Sequence, residues 1–220
     1  MKTYVVAFAI ALFTSWVLTP YVKNLAFKIG AVDKPDPRKV HKGIMPRLGG
    51  LAIFVGFLIA VLSTVTMSRD LFGILTGAFV ILIVGILDDV YQLPAKVKLL
   101  GQIVAAAVLI FFGIQIEWLN NPFGGYFYLD YLSIPITFFW VVSFTNVVNL
   151  MDGLDGLAAG VSAIASVTII LVALQQGYYT VAVMTAALAG GIIGFIRYNF
   201  NPATIFMGDT GSMFIGYILA

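Results

Sequence analysis

Long apolar runs alternate with short polar ones along the whole chain. Runs of membrane-spanning length fall near residues 3–22, 49–67, 71–87, 99–116, 133–151, 157–175, 178–196 and from 212 onward. About 20 apolar residues in a helix cross a hydrocarbon core about 30 Å thick, and lipid forces each span to satisfy its own backbone hydrogen bonds. The pattern therefore predicts an all-α, polytopic membrane bundle of about eight transmembrane helices, one domain over residues 1–220. The first run follows a single Lys2, lacks a small-residue cleavage site and exceeds a signal peptide's apolar core of about 7–15 residues, so it reads as a retained helix. Polar segments occupy 23–48, 88–98, 117–132, 152–156 and 197–211, with tight turns near Ser68–Asp70 and Gln175–Gly177. Segment 117–132 sets Asn121-Pro122 and Gly124-Gly125 among Trp118, Phe123, Tyr126, Phe127, Tyr128 and Tyr131, an aromatic hairpin suited to a membrane–water interface.

Composition agrees with a bilayer protein: 61% of residues are hydrophobic, 10% are charged, and mean hydropathy is +1.03. Soluble domains carry roughly 25% charged residues. No cysteine is present, which excludes disulfides and thiolate metal sites, and one histidine, His41, excludes a His-based cluster within this stretch. A net charge of +2 gives no argument for nucleic acid. The placement of charge says more than its sum. With the N-terminus outside, the inner segments hold Lys23, Lys28, Lys34, Arg38, Lys39, Lys42, Arg47, Lys96, Lys98 and Arg197, and the outer ones only Lys2 and Arg69. That orientation also puts Asp33, Asp36, Asp88, Asp89, Asp152, Asp155 and Asp209 on the cytoplasmic side. Ionisable groups beside lipid are costly and mark functional sites, so acids from three separate inner segments point to chemistry there.

Three strings carry that chemistry. Gly85-Ile86-Leu87-Asp88-Asp89 ends a span with adjacent carboxylates, about 100° apart on a helix and able to reach different partners. Such hard oxygen donors suit Mg²⁺, which is held by one or two carboxylates plus substrate phosphates. In Asn149-Leu150-Met151-Asp152-Gly153-Leu154-Asp155-Gly156 the two acids are i,i+3 and would share one face of a helical turn, with glycines permitting close backbone approach. In Asn199-Phe200-Asn201-Pro202-Ala203-Thr204-Ile205-Phe206-Met207-Gly208-Asp209-Thr210-Gly211-Ser212, Gly208 and Gly211 bracket Asp209 at a helix start, where N–H groups can meet phosphate oxygens and Asp209 a cation. The structural alternative is that Asp209, Thr210 and Ser212 simply cap the helix. The basic first inner loop, from Asp33 to Gly50, can embrace phosphates or merely obey the inside-positive rule.

Taken together, LDD, NLMDGLDGLA and FNPATIFMGDTGS, in that order and on one membrane face, resemble the polyprenyl-phosphate N-acetylhexosamine-1-phosphate transferases (glycosyltransferase family 4), most of all the bacterial undecaprenyl-phosphate GlcNAc-1-phosphate branch. The resemblance implies transfer of a sugar 1-phosphate from a UDP-sugar to a polyprenyl phosphate, with Mg²⁺, releasing UMP at the cytoplasmic face of a bacterial plasma membrane. It implies roles for Asp88 and Asp89 (the aspartate pair), Asp152 and Asp155 (paired acids), Asp209 (Mg²⁺), Asn199 (nucleotide side), Lys98 (phosphate side) and Lys42 (a basic residue before Gly-Gly). Asp88 is the candidate for deprotonating the lipid phosphate, with Asp89 and Asp152 organising metal or substrate; an aspartyl intermediate is the competing scheme. The family's phospho-MurNAc-pentapeptide branch carries a PTMGG-like string where this chain has Met45-Pro46-Arg47-Leu48-Gly49-Gly50, and a longer stretch after the aspartate pair, so the GlcNAc branch is favoured. The family also continues into a histidine-bearing inner loop and further spans, so a chain stopping at Ala220 is expected to be truncated. A homodimer is compatible with the family. The rival of another class, a transporter, predicts charges near the bilayer midplane, and the assigned spans are essentially free of them.

Overall fold

The computed structural model describes residues 2–35 and 43–220. Among these, eight α-helices form one bundle: α1 (Thr3–Ile29), α2 (Gly50–Thr64), α3 (Arg69–Tyr91), α4 (Ala95–Phe111), α5 (Ser133–Met151), α6 (Leu157–Gln176), α7 (Tyr179–Asn199) and α8 (Gly208–Leu219). Five stretches are long and apolar enough to cross a membrane: Thr3–Ile29, Arg69–Tyr91, Asp130–Met151, Leu157–Gln176 and Tyr179–Asn199. Helices α2, α4 and α8, at 15, 17 and 12 residues, are shorter. The chain is a multi-pass membrane protein. Two small antiparallel ladders complete it: β1 (Val32–Asp33) pairs with β2 (Met45–Pro46), and β3 (Trp118–Asn120) with β4 (Tyr126–Tyr128). The second ladder is the aromatic hairpin, with Trp118 and Tyr126 stacked edge to face at 4.9 Å.

Helix α7 is the hub, packed by α1, α2 and α6. Its small residues explain why. Lipid offers no hydrophobic drive between helices, so close backbone approach supplies the packing. Ala7, Ala11, Ser15, Thr19 and Ala26 give α1 a buried small-residue stripe at four- and seven-residue spacing. Opposite it, a Cβ at Gly190 would collide with the Phe8 carbonyl oxygen. Large apolar side chains face outward instead, among them Phe13, Phe111, Phe139, Ile164 and Leu171, as a lipid-facing surface requires.

The up-and-down order brings the C-terminal ends of α1, α3, α5 and α7 and the N-terminal ends of α2, α4, α6 and α8 to one end of the bundle. There the segments interlock. Phe206 N–H donates to the Pro46 carbonyl (2.8 Å), and Gly49 and Gly50 N–H donate to the Phe206 and Met207 carbonyls (3.0 and 2.8 Å). The start of α2 is thereby fixed against the start of α8.

Candidate active site

Helix α3 runs to Tyr91, turns through Gln92 in the left-handed conformation, and meets Pro94, which cannot continue a helix but can precede the next one. Asp88 holds this turn: its Oδ1 accepts from Leu93 N–H at 2.7 Å. Its Oδ2 faces Lys98, one turn into α4, whose Nζ donates at 3.3 Å. The same Nζ donates to Asp209 Oδ2 at 2.7 Å. One ammonium thus bridges carboxylates from α3 and α8.

Asp89 goes elsewhere. Its side chain is fully buried, and its oxygens accept from the N–H of Asp209 (3.0 Å), the N–H of Thr210 (3.0 Å) and the Thr210 hydroxyl (2.6 Å). The exposed N–H groups expected at the start of α8 to meet a phosphate are therefore already taken, by a carboxylate of the protein itself. Adjacent residues on a helix diverge by about 100°, which is why the aspartate pair splits between two partners.

Segment 152–156 does not form the helical turn expected of its i,i+3 acids. Asp152 leaves helical geometry at ψ 53°, and Gly156 adopts φ 72°, so the chain turns on its glycines and the acids part. Asp155 Oδ2 accepts from Asn201 Nδ2 (3.2 Å) and Ala203 N–H (2.9 Å). Asn199, buried at the end of α7, accepts from Gly156 N–H (3.2 Å) and donates to the Ile205 carbonyl (3.1 Å). These two side chains staple the α5–α6 loop to the α7–α8 loop. Lys42 and His41 lie outside the described residues.

A cavity of about 620 Å³ opens among these loops, lined by Asp33, Arg47, Asp89, Asp152, Asp155, Asn199 and Asp209 with Phe206, Met45 and residues 153–154 and 201–203. Asp88 and Lys98 lie behind Asp209, off this lining. Burial, then the nearby Asp209 charge, raises the Asp152 carboxyl to about 7, against a weaker pull from Gly208 N–H. Burial opposes the Asp209 charge too, but hydrogen bonds shared with Asp88 and Lys98, and the Lys98 cation, hold its carboxyl below the usual range.

Two charged cavity residues, Arg47 and Asp33, belong to none of the three acidic strings and come instead from the basic first loop. Arg47 donates from Nε to the Asp89 carbonyl (3.3 Å) and from Nη2 to the Asp88 carbonyl (3.2 Å), closing the end of α3, with Nη1 3.9 Å from Asp33. Its departure from the PTMGG-like string is the one signal of this role that the sequence offers. Neutral polar residues also join α4, α5 and α8 beneath the site. Gln102 and Asn146 form a reciprocal amide pair (2.6 and 3.3 Å), and Asn149 donates to Ser212 Oγ (2.8 Å).

Among the described residues no group of three or more His or acidic side chains is arranged to hold a metal by protein ligands alone. A Mg²⁺ site that relies on substrate phosphates needs only one or two carboxylates. Asp152 and Asp209 are the carboxylates that could serve such a site: both line the cavity, and after burial the Asp209 charge is what raises Asp152.

The sequence profile of glycosyl transferase family 4 matches residues 71–220. Over its whole length the chain is 47% identical to a probable undecaprenyl-phosphate N-acetylglucosaminyl 1-phosphate transferase of Bacillus subtilis, of which it covers 62%. It is 40% identical, over 94% of its length, to the decaprenyl-phosphate N-acetylglucosaminephosphotransferase of Mycobacterium tuberculosis, covering 56% of it. A phospho-N-acetylmuramoyl-pentapeptide-transferase of Caldanaerobacter subterraneus is 35% identical over 97% of the chain, which covers 71% of that relative. The chain thus spans less than two thirds of the first two relatives.

Proposed function

The chain belongs to glycosyl transferase family 4, and we propose that it contributes the catalytic membrane core of an enzyme that moves GlcNAc 1-phosphate from UDP-GlcNAc to undecaprenyl phosphate, releasing UMP. The observation that carries this reading is Lys98 bridging Asp88 and Asp209, with Asp209 in turn lining a carboxylate-rich cavity large enough for a nucleotide diphosphate. The identity to the Bacillus subtilis relative favours GlcNAc over MurNAc-pentapeptide as donor sugar. By the lysine and arginine count the site faces the cytoplasm, where UDP-sugars reside.

In this scheme an acceptor phosphate oxygen attacks the sugar-side phosphorus. A P–O bond forms there as the bond to the UMP oxygen breaks, and UMP leaves with the bridging oxygen. Such transfers need alignment and charge stabilisation more than covalent help. Asp209 and Asp152 would hold Mg²⁺, which when bound neutralises the diphosphate. Lys98 turns from its carboxylates toward the phosphates, and Asp88, released from Lys98, takes up any proton on the acceptor phosphate. Asp155 and Asn199 keep the two cavity loops in register.

The test is direct. Full-length protein in detergent is mixed with undecaprenyl phosphate, Mg²⁺ and either UDP-GlcNAc or UDP-MurNAc-pentapeptide, and UMP is measured. UMP from UDP-GlcNAc is expected, with near-complete loss in a folded Asp209→Asn variant. Wild-type activity in that variant would remove Asp209 from the chemistry, and UMP from the pentapeptide donor alone would move the protein to the other branch.

A further inference from the structure

The aspartate pair looks like one functional unit in sequence, yet its second member is fully enclosed and committed. We infer that Asp89 is a positioning residue: it caps helix α8 from α3 and thereby sets the place of Asp209, without touching metal, diphosphate or acceptor.

Three features support this. First, α8 lacks a cap of its own. Met207 precedes it and supplies no side-chain hydrogen bond, so the N–H groups of its first turn need partners from elsewhere. Asp89 satisfies two of them and the Thr210 hydroxyl as well, and its charge complements the positive end of the helix dipole. Second, the backbone is shaped around that carboxylate. Gly208 has φ 73°, and a Cβ there would lie 2.5 Å from Asp89 Oδ2. One turn before Asp89, a Cβ at Gly85 would lie 2.5 Å from Thr210 Cα, so α3 and α8 touch only because that position has none. Third, Arg47 Nε stands 3.8 Å from Asp89 Oδ1, and although Asp89 borders the cavity its side chain has no exposure to it.

The consequence reaches Asp209 directly, because its own N–H is one of the capped donors. Lys98 fixes the Asp209 carboxylate at one end and Asp89 fixes its backbone at the other. A cap on this helix is therefore a device for aiming one side chain across the bundle.

The inference takes the proposed transfer as the reaction Asp209 serves, so its test includes a readout independent of activity. In full-length protein, Asp89→Asn places an amide N–H₂ against donors. Hydrogen exchange of the peptide spanning 205–213 should accelerate in this variant and stay at the wild-type rate in Asp88→Asn. UMP release should fall about 10- to 100-fold in kcat, the cost of a misplaced group, with KM for the donor and the shape of the pH–rate profile unchanged. Thr210→Ala should give a milder version of both effects, Thr210→Ser should restore both, and adding Thr210→Ala to Asp89→Asn should cost less than it does alone. Thr210→Ala also keeps the test alive if Asp89→Asn fails to fold. Unchanged exchange with lost activity, or a pH profile that loses a limb, would make Asp89 a direct participant and overturn the inference. Faster exchange in the variant, from a wild-type protein that releases no UMP, would leave the cap intact and count against the proposed reaction alone.

Discussion

Lys98 Nζ and Asp209 Oδ2 lie 2.7 Å apart although 111 residues separate them, and Asp88 shares the same ammonium at 3.3 Å. Lys98 is partly exposed, and its two partners come from different helices, so one ammonium ties α3 and α8 together beside the cavity. In Lys98→Gln the two carboxylates face each other without a cation. We expect kcat for UMP release to fall by about 10²–10³-fold, the usual loss for a preorganised charge contact, while detergent-solubilised protein stays folded. Lys98→Arg should not rescue, because a planar fork cannot take the place of a compact ammonium between two carboxylates. Activity assays on the two variants, with size-exclusion profiles as a folding control, check this.

The pH dependence follows from Asp152. Its ordinary value of 3.8 is raised to about 7 in the folded chain, chiefly by burial. Across that interval the folded protein holds a proton that the unfolded chain has released, so stability is greatest at the acid end and declines as pH rises through about 7. Thermal midpoints of metal-free protein should therefore drop between about pH 5 and pH 8, and Asp152→Asn should flatten the slope. A divalent cation competes with the same proton. The Mg²⁺ concentration giving half-maximal UMP release should fall over that range in wild type and much less in Asp152→Asn.

Asn199 tests the staple between loops. Its removal leaves Gly156 N–H and the Ile205 carbonyl without their partner in a buried setting. Orphaned buried groups cost about 1–3 kcal/mol, so Asn199→Ala should lower the unfolding midpoint in a thermal melt and raise the KM for the donor. Asp155→Ala cuts contacts to Asn201 and Ala203 nearer the surface and should cost less, about 1 kcal/mol, with the same direction in KM.

Packing at the hub can be tested by a pair of glycines. A Cβ at Gly190 meets the Phe8 carbonyl oxygen, whereas at Gly160 on α6 nothing lies within 4 Å. Gly190→Ala should destabilise by about 1–3 kcal/mol through overpacking. Gly160→Ala should be neutral or gain up to about 1 kcal/mol from helix propensity. Melting curves of the two variants side by side decide it.

Much of the architecture is legible in the order of residues. Eight apolar runs become eight helices, the Asn-Pro and Gly-Gly punctuation of 117–132 becomes a hairpin, and four inner segments come to one end, as strict alternation of short-looped antiparallel helices demands. Less legible is the core. In a soluble helix the polar face marks solvent, but a lipid-facing side and a buried side are both apolar, so nothing in α7 announces it as the hub except its Ala and Gly content.

The division of labour among the acids lies beyond the sequence. Local spacing determines that Asp88 and Asp89 diverge, since 100° per residue is a property of any helix. It cannot determine that one meets Lys98 and the other the start of α8, or that Asp155 and Asn199 lock loops while Asp152 faces the cavity. Most of those partners sit tens to more than a hundred residues away, and a hydrogen bond depends on geometry within a few tenths of an ångström. Apolar runs thus specified the spans, because each is a local exchange between water and lipid, and the lysine and arginine bias predicts their orientation. The tertiary packing alone decided which carboxylates are bound up in the scaffold and which are left facing the cavity.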